Sequence, residues 1–310
     1  MDVCGEYLCV SGLHFTRVFS LHDGEQILSW AIKDNTKILS LAFKPTTNVE
    51  DEGLFLWLGN NIGEIIELDV AKQETIMANS SPHTRRDVVK IHRYKNQMWT
   101  IDDSGMLHVW GSQEVGGVPN LANSPRSFRL SKGHTFSMIV GDELWQTFGK
   151  DIRVYRPTID ASVQFQVLTR PLSQANAGDI TCGTTLSSQP DLVYLGHTDG
   201  KVSIYSRDYQ FIGLVNISVY KVISLVGVGG RLWASFSTGM IYVYDTAQTP
   251  WIVKKDWKAH HDPVVRLLAD RSSFWTLGRS QIISLGQDNI LKVWDGLLQE
   301  DWIGKRDRNR

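Results

Sequence analysis

Residues 282–296 read IISLGQDNILKVWDG. Two short runs rich in Ile, Leu and Val flank a polar turn at residues 286–289. Branched apolar side chains suit a pleated surface, and Gly, Asp and Asn tolerate the tight reversal between two strands. The stretch therefore predicts a β-hairpin. Its second run closes on Val293, Trp294 and Asp295. Ser284 sits on the first run and Asp288 in the turn, with His260 and His261 upstream on the approach. One such hairpin is compatible with many folds; a chain that repeats it is not.

The chain repeats it. Paired extended runs flank turns of Gly, Asn, Asp or Ser within residues 7–21, 54–68, 98–110, 144–155, 193–205 and 232–244. The spacing is about 40 to 50 residues, a propeller-like period. First runs carry an aromatic in equivalent slots, at Trp57, Trp99, Trp145, Tyr194 and Trp233. Second runs end on Phe19, Leu68, Trp110, Tyr155, Tyr205, Tyr244 and Trp294. Between the hairpins, residues 38–43, 88–91, 136–140, 180–182, 222–226 and 264–268 read as inner strands. Residues 26–31, 127–130, 163–168, 211–215 and 251–254 read as outer ones. Four strands per unit and no helical period predict an all-β, seven-bladed propeller. Alternation is blurred, as expected of sheets covered on both faces.

Two places strain the pattern. In the last repeat Phe274 and Trp275 resemble the aromatic strand of earlier units, yet residues 281–285 fit the turn better. The first repeat begins at its second strand, which predicts an incomplete first blade and a truncated reading frame. Residues 297–303 (LLQEDWI) are the candidate for a terminal strand. The propeller is thus expected over 1–303, with 304–310 a charged tail or the start of a linker.

The Val293-Trp294-Asp295 ending and the repeat period resemble the WD40 repeat. The resemblance implies a hydrogen-bond relay. Asp288 and the Ser284 hydroxyl would hold the ring of His260 or His261, and the Trp294 indole would supply the last donor. The physical reason is that a loop packed on a blade must pair its buried polar atoms. Residues 196–202 (GHTDGKV), 232–234 (LWA), 238–245 (TGMIYVYD), 257–260 (WKAH), 284–286 (SLG) and 293–296 (VWDG) resemble, more narrowly, the N-terminal propeller of fungal inositol polyphosphate 5-phosphatases. That likeness covers most of the chain. It implies a parent protein in which an endonuclease/exonuclease/phosphatase-type domain follows the propeller and removes the 5-phosphate of inositol lipids with Mg²⁺. That domain carries Trp-Asn-x-Gly and Trp-Cys-Asp-Arg segments, and neither occurs here.

Composition fits a folded binding module. The 310 residues are 42% hydrophobic and 21% charged, which excludes disorder and wholesale membrane embedding. The formal net charge of -1 gives no global drive towards nucleic acid. Three cysteines, Cys4, Cys9 and Cys182, are too few for a disulfide framework, so a reducing, cytoplasmic setting is expected. The start, MDVCGEYLCV, has no signal-peptide pattern, and no apolar run is long enough for a spanning helix. Asn79 and Asn216 begin glycosylation-type triplets that matter only in a secretory lumen.

No catalytic, metal or cofactor site emerges. Cys4 and Cys9 lack a second ligand pair. His260, His261 and Asp262 could ligate a metal, but relay and loop roles account for them. Ser284, Asp288 and a histidine imitate a hydrolase triad, yet no nucleophile elbow surrounds the serine. No phosphate loop occurs, and residues 227–230 (GVGG) read as a turn between strands. The basic groups Arg85, Arg86, Lys254, Lys255 and Lys258 could grip phosphate or a partner. Against this, Asp87 adjoins the arginine pair, and a solvated loop face is the blander reading. The sequence thus predicts a non-catalytic protein-binding propeller that uses its loop faces and channel rim and positions a phosphatase. The alternatives are a free-standing scaffold subunit and a phosphoinositide-headgroup binder.

Overall fold

Short apolar runs broken by turn residues leave this chain little besides strands. The computed structural model describes residues 1–112, 117–157, 165–167, 171–270 and 280–296. Among them, the one regular element that is not a strand is a 3-10 turn at Val49–Asp51. Among the described residues no helix is long and apolar enough to cross a membrane.

The first blade is β1 (Asp2–Cys4), β2 (Tyr7–Ser11), β3 (Phe15–Ser20) and β4 (Gln26–Ala31). The second is β5 (Ile38–Phe43), β6 (Phe55–Asn60), β7 (Ile65–Asp69) and β8 (Glu74–Asn79). The third is β9 (Val88–Tyr94), β10 (Gln97–Asp102), β11 (Met106–Trp110) and β12 (Arg126–Arg129). The fourth is β13 (Phe136–Val140), β14 (Glu143–Phe148), β15 (Asp151–Pro157) and β16 (Phe165–Val167). The fifth is β17 (Ile180–Leu186), β18 (Gln189–His197), β19 (Lys201–Ser206) and β20 (Phe211–Asn216). The sixth is β21 (Val222–Val228), β22 (Arg231–Phe236), β23 (Met240–Asp245) and β24 (Ile252–Lys258). The seventh is β25 (Val264–Asp270), β26 (Gln281–Gly286) and β27 (Leu291–Asp295). Each sheet is a meander whose strands pair in chain order, and the fold is a seven-bladed β-propeller.

The chain divides into two compact units. One takes in Met1–His134, Gly141–Glu143 and Arg156–Gln166; the other takes in Thr135–Val140, Leu144–Tyr155 and Val167–Arg310. The first three blades belong to the first unit and the last three to the second. Within each, neighbouring blades bury a shared apolar layer. Phe43, Leu56, Leu58 and Leu68 pack with Cys9, Val18 and Leu28 of the first blade. Trp233, Ile241 and Val243 of the sixth pack with Val264, Leu267 and Ile282 of the seventh. The aromatic slots read from the sequence, Trp57, Trp99, Trp145, Tyr194 and Trp233, are all at most 1% exposed. Truncating one such tryptophan to alanine costs about 3–5 kcal/mol.

A one-residue bulge recurs at the second position of the inner strands. Ile38 pairs with Asn60 and Ser40 with Gly59, leaving Leu39 extra. Val89, Thr181, Ile223 and Val265 are extra in the same way.

The expected incomplete first blade is corrected. Asp2–Cys4 is its inner strand, pairing Asp2 with Cys9, Val3 with Leu8 and Cys4 with Tyr7. A three-residue strand with one branched apolar residue is too short to carry a periodicity. Side chains hold it instead. The Asp2 carboxylate accepts the Phe43 N–H at 3.0 Å. Cys4 donates to Glu52 at 3.2 Å, and Arg93 grips both Glu52 oxygens at 2.5 and 2.9 Å. The second blade's outer strand, β8, carries no strand signal in the sequence, because ETIMAN does not alternate and is mostly exposed. In the seventh blade the strand beside the turn is Gln281–Gly286. Phe274, Trp275, residues 297–303 and the expected tail at 304–310 lie outside the described residues, as do 163, 164 and 168 of the expected outer strand 163–168.

Candidate functional site

Polar groups gather where the loop between blades meets the turn between the second and third strands. In the seventh blade, β26 and β27 pair in antiparallel register, with Ser284 opposite Lys292 and Ile282 opposite Trp294. This register aims Ser284 and Trp294 towards the incoming loop. The Trp294 indole donates to Ser284 Oγ at 2.8 Å. The hydroxyl in turn donates to His260 Nε2 at 2.7 Å. His260 Nδ1 lies 3.1 Å from both Asp288 oxygens. His261, on the exposed side, gives its backbone N–H to Asp288 at 3.3 Å. The four groups singled out in the sequence therefore meet, with His260 rather than His261 in the ring position.

Gly286 makes that meeting sterically possible. A Cβ there would stand 2.2 Å from the Asp288 carboxylate and 2.5 Å from His260 Nδ1. Burial works against the Asp288 charge, but the Ile290 N–H and His260 outweigh it and hold the carboxyl below its ordinary range.

The third blade holds a second relay that the sequence reading missed. Trp110 donates to Thr100 Oγ at 3.0 Å, Thr100 lies 2.7 Å from His83 Nε2, and His83 Nδ1 lies 2.9 Å from Asp102. Thr100 precedes Trp110 by ten residues, as Ser284 precedes Trp294. That spacing was the available signal. Thr in place of Ser and Trp110-Gly111 in place of Trp-Asp obscured it. Burial would raise the Asp102 pKa, yet bonds from His83, Ser104 and the Met106 N–H bring it to about 2.

A fifth group latches each relay. His108 donates from Nε2 to the Pro82 carbonyl at 3.1 Å, and Lys292 donates to the Ala259 carbonyl at 2.6 Å. Both carbonyls belong to the residue just before the relay histidine. Since a carbonyl only accepts, the proton on His108 is fixed at Nε2, and Nδ1 accepts from Ser127 at 2.8 Å. Burial, then the neighbouring His83, pushes the His108 pKa down to about 4.

This chemistry is structural. Ser284 is fully buried and already bonded on both sides, so its hydroxyl is not available as a nucleophile. Among the described residues His83, Asp102 and His108 place metal-ligand atoms within 4.8 Å of one another. Every ring nitrogen of that group is already bonded to protein. In the second blade a buried ion pair stands instead: Lys44 meets Glu67 at 2.7 Å, and Glu67 also accepts the Trp57 indole N–H at 3.1 Å.

The basic groups belong to different units. Arg85 and Arg86 lie in the first unit, exposed in the loop that carries His83. Arg85 adopts φ +58° and gives its N–H to Ile62, while Arg86 stands 3.9 Å from Asp103. Lys254, Lys255 and Lys258 are strung along β24 in the second unit. Lys254 occupies a bulge, Lys255 covers the Trp257 ring at 5.3 Å, and Lys258 donates to the Thr238 carbonyl at 2.5 Å.

The fold and its relays define the class, a WD40-like β-propeller, and comparison with solved structures agrees. A chain in the crystal structure of a mitotic checkpoint complex matches with a TM-score of 0.71 at 15% identity, covering 93% of this chain and 83% of that one. A computationally designed protein, Ika8, matches with a TM-score of 0.64 at 14% identity, covering 94% and 80%. No family model matches the chain. Among curated proteins it is 38% identical over 319 residues to a Schizosaccharomyces pombe protein described as a probable inositol polyphosphate 5-phosphatase. The match takes in all of this chain, which spans 26% of the length of that relative.

Proposed function

We propose that this chain is the non-catalytic propeller module of an inositol polyphosphate 5-phosphatase, a platform that docks protein partners and positions the enzyme on its phosphoinositide substrate. The observation that carries the reading is 38% identity along the whole chain to about a quarter of such a relative. Rigid blades holding variable loops suit recognition, and the relays fix those loops without spending exposed groups. The chain lacks the Trp-Asn-x-Gly and Trp-Cys-Asp-Arg segments of the catalytic domain. A cytosolic setting fits three unpaired thiols, two of them buried and pushed up to about 12 at Cys9 and about 11 at Cys182.

The test is phosphate release from phosphatidylinositol 4,5-bisphosphate. This chain is expected to release none above background, and turnover would overturn the non-catalytic reading. In the fission yeast relative, deleting the aligned stretch should preserve turnover of a soluble substrate while abolishing partner capture. Headgroup binding through Arg85 and Arg86 is a second reading, favoured by the exposure of both side chains. Liposome sedimentation of the double alanine variant tests it, and unchanged binding would end it.

A further inference from the structure

The chain's two Ser-Pro steps, Ser81-Pro82 and Ser124-Pro125, meet at the third blade. The first lies in the loop between β8 and β9, and the second leads straight into β12. Asn79, at the start of the loop, donates to the Leu121 carbonyl at 2.8 Å. His108 spans the rest: Nε2 donates to the Pro82 carbonyl at 3.1 Å, and Nδ1 accepts from Ser127 at 2.8 Å. Two segments far apart in the chain are thus held side by side within the first unit.

Ser81 and Ser124 are both exposed, and neither hydroxyl has a protein partner among the described residues. At Ser81 the backbone alone is engaged: its N–H donates to Asn79 at 3.0 Å, and its carbonyl accepts the Thr84 hydroxyl at 2.8 Å. Four exposed arginines follow the two steps closely. Arg85 and Arg86 share the loop of Ser81, and Arg126 and Arg129 lie on the strand that Pro125 enters. Arg86 stands 3.9 Å from Asp103, both side chains being about half exposed. Arg85, Arg126 and Arg129 form no ion pair among the described residues. Asp87 and Asp103 are the acidic groups beside the first pair.

A proline has no N–H and biases the residue before it towards extended backbone. Kinases that select Ser-Pro are built for that restricted, donor-free step. We infer that Ser81 and Ser124 are paired phosphate acceptors for a proline-directed protein kinase, and that the flanking arginines hold the phosphates. The co-reactant is a nucleoside triphosphate. The bond from serine Oγ to the γ-phosphorus forms as the bond from that phosphorus to the diphosphate oxygen breaks, and the hydroxyl proton passes to the kinase's base. Arg forks suit phosphate oxygens, and a dianion draws Arg86 from a carboxylate 3.9 Å away. Two phosphates bring roughly three to four negative charges to four arginines, so modification cancels the positive field of this surface. The inference is independent of the phosphatase reading.

The full chain carries the test. Incubated folded with a recombinant proline-directed kinase and adenosine triphosphate, it should gain phosphate on Ser81 and Ser124, mapped by mass spectrometry. Ser80, which lacks the proline, and Ser127, bonded to His108, should stay unmodified. Arginine favours the dianion, so in phosphorus NMR both phosphates should titrate about half a unit below the ordinary value of roughly 6. Arg85→Ala with Arg86→Ala should return the Ser81 phosphate to that value, and Arg126→Ala with Arg129→Ala the Ser124 phosphate. All four changes fall on exposed side chains and keep both Ser-Pro steps. Labelling of one serine alone, labelling only after unfolding in urea, or titrations indifferent to the arginines would overturn the inference.

Discussion

The third and seventh blades perform the same local task with different parts. In the third, Asp102 ends its strand and meets His83 directly, 2% exposed at the side chain. In the seventh, glycine stands at that register and Asp288 reaches back from two residues further along, 10% exposed. The latch is an imidazole in one blade and an ammonium in the other. A network closed off from water makes each of its bonds matter more, and makes a broken one costlier. The third blade should therefore be the more sensitive, to mutation and to acid.

The largest effect should come from His83→Ala, which leaves Thr100 and Asp102 without their buried partner. We expect a loss of about 3–4 kcal/mol in urea unfolding, against about 2 kcal/mol for His260→Ala. Equal losses would erase the distinction between the two relays.

Acid should separate them next. The folded pKa of His108, about 4, lies below its ordinary 6.5. Its contribution is therefore complete above pH 6.5 and is lost as pH falls from 6.5 towards 4. That interval corresponds to roughly 3 kcal/mol. His134, also depressed to about 4 by burial and Lys90, adds to the same window. Asp102 acts lower, its contribution fading only as pH falls from about 3.8 towards 2. In His108→Gln the slope of stability against pH should flatten between 6.5 and 4; an unchanged slope would assign that window elsewhere.

Gly286→Ala sharpens the comparison from the seventh blade. The added methyl collides with the His260–Asp288 pair, and a loss of about 2 kcal/mol is expected in thermal unfolding. The smallest effect belongs to Arg85→Ala with Arg86→Ala. Both side chains are exposed, so stability should stay within about 0.5 kcal/mol of the parent.

The architecture was legible because aromatic slots and turn residues recur at one spacing. The inner strands Ile38–Phe43 and Phe136–Val140 and the outer strand Gln26–Ala31 fall where the sequence places them. The elements that escaped owe their place to something other than pattern. Asp2–Cys4 is held by side-chain bonds to Phe43, Glu52 and, through Glu52, Arg93, contacts between residues far apart in the chain. The His260 relay could be read because its wording is conventional. The His83 relay could not, because Thr100 replaces the serine and Trp110 is followed by glycine. Nor could a sequence show that Lys258 is committed to a carbonyl, or that Lys254 sits in a bulge.

The extra residue near the start of five inner strands gives the chain a place to absorb change in length. Deleting Leu39 would let Ile38 and Ser40 follow one another against Asn60 and Gly59, with the partners on either side untouched. The same loss a few residues later would turn every following side chain to the opposite face. Homologous blades can thus differ by one residue at this point and still lay the same surfaces together.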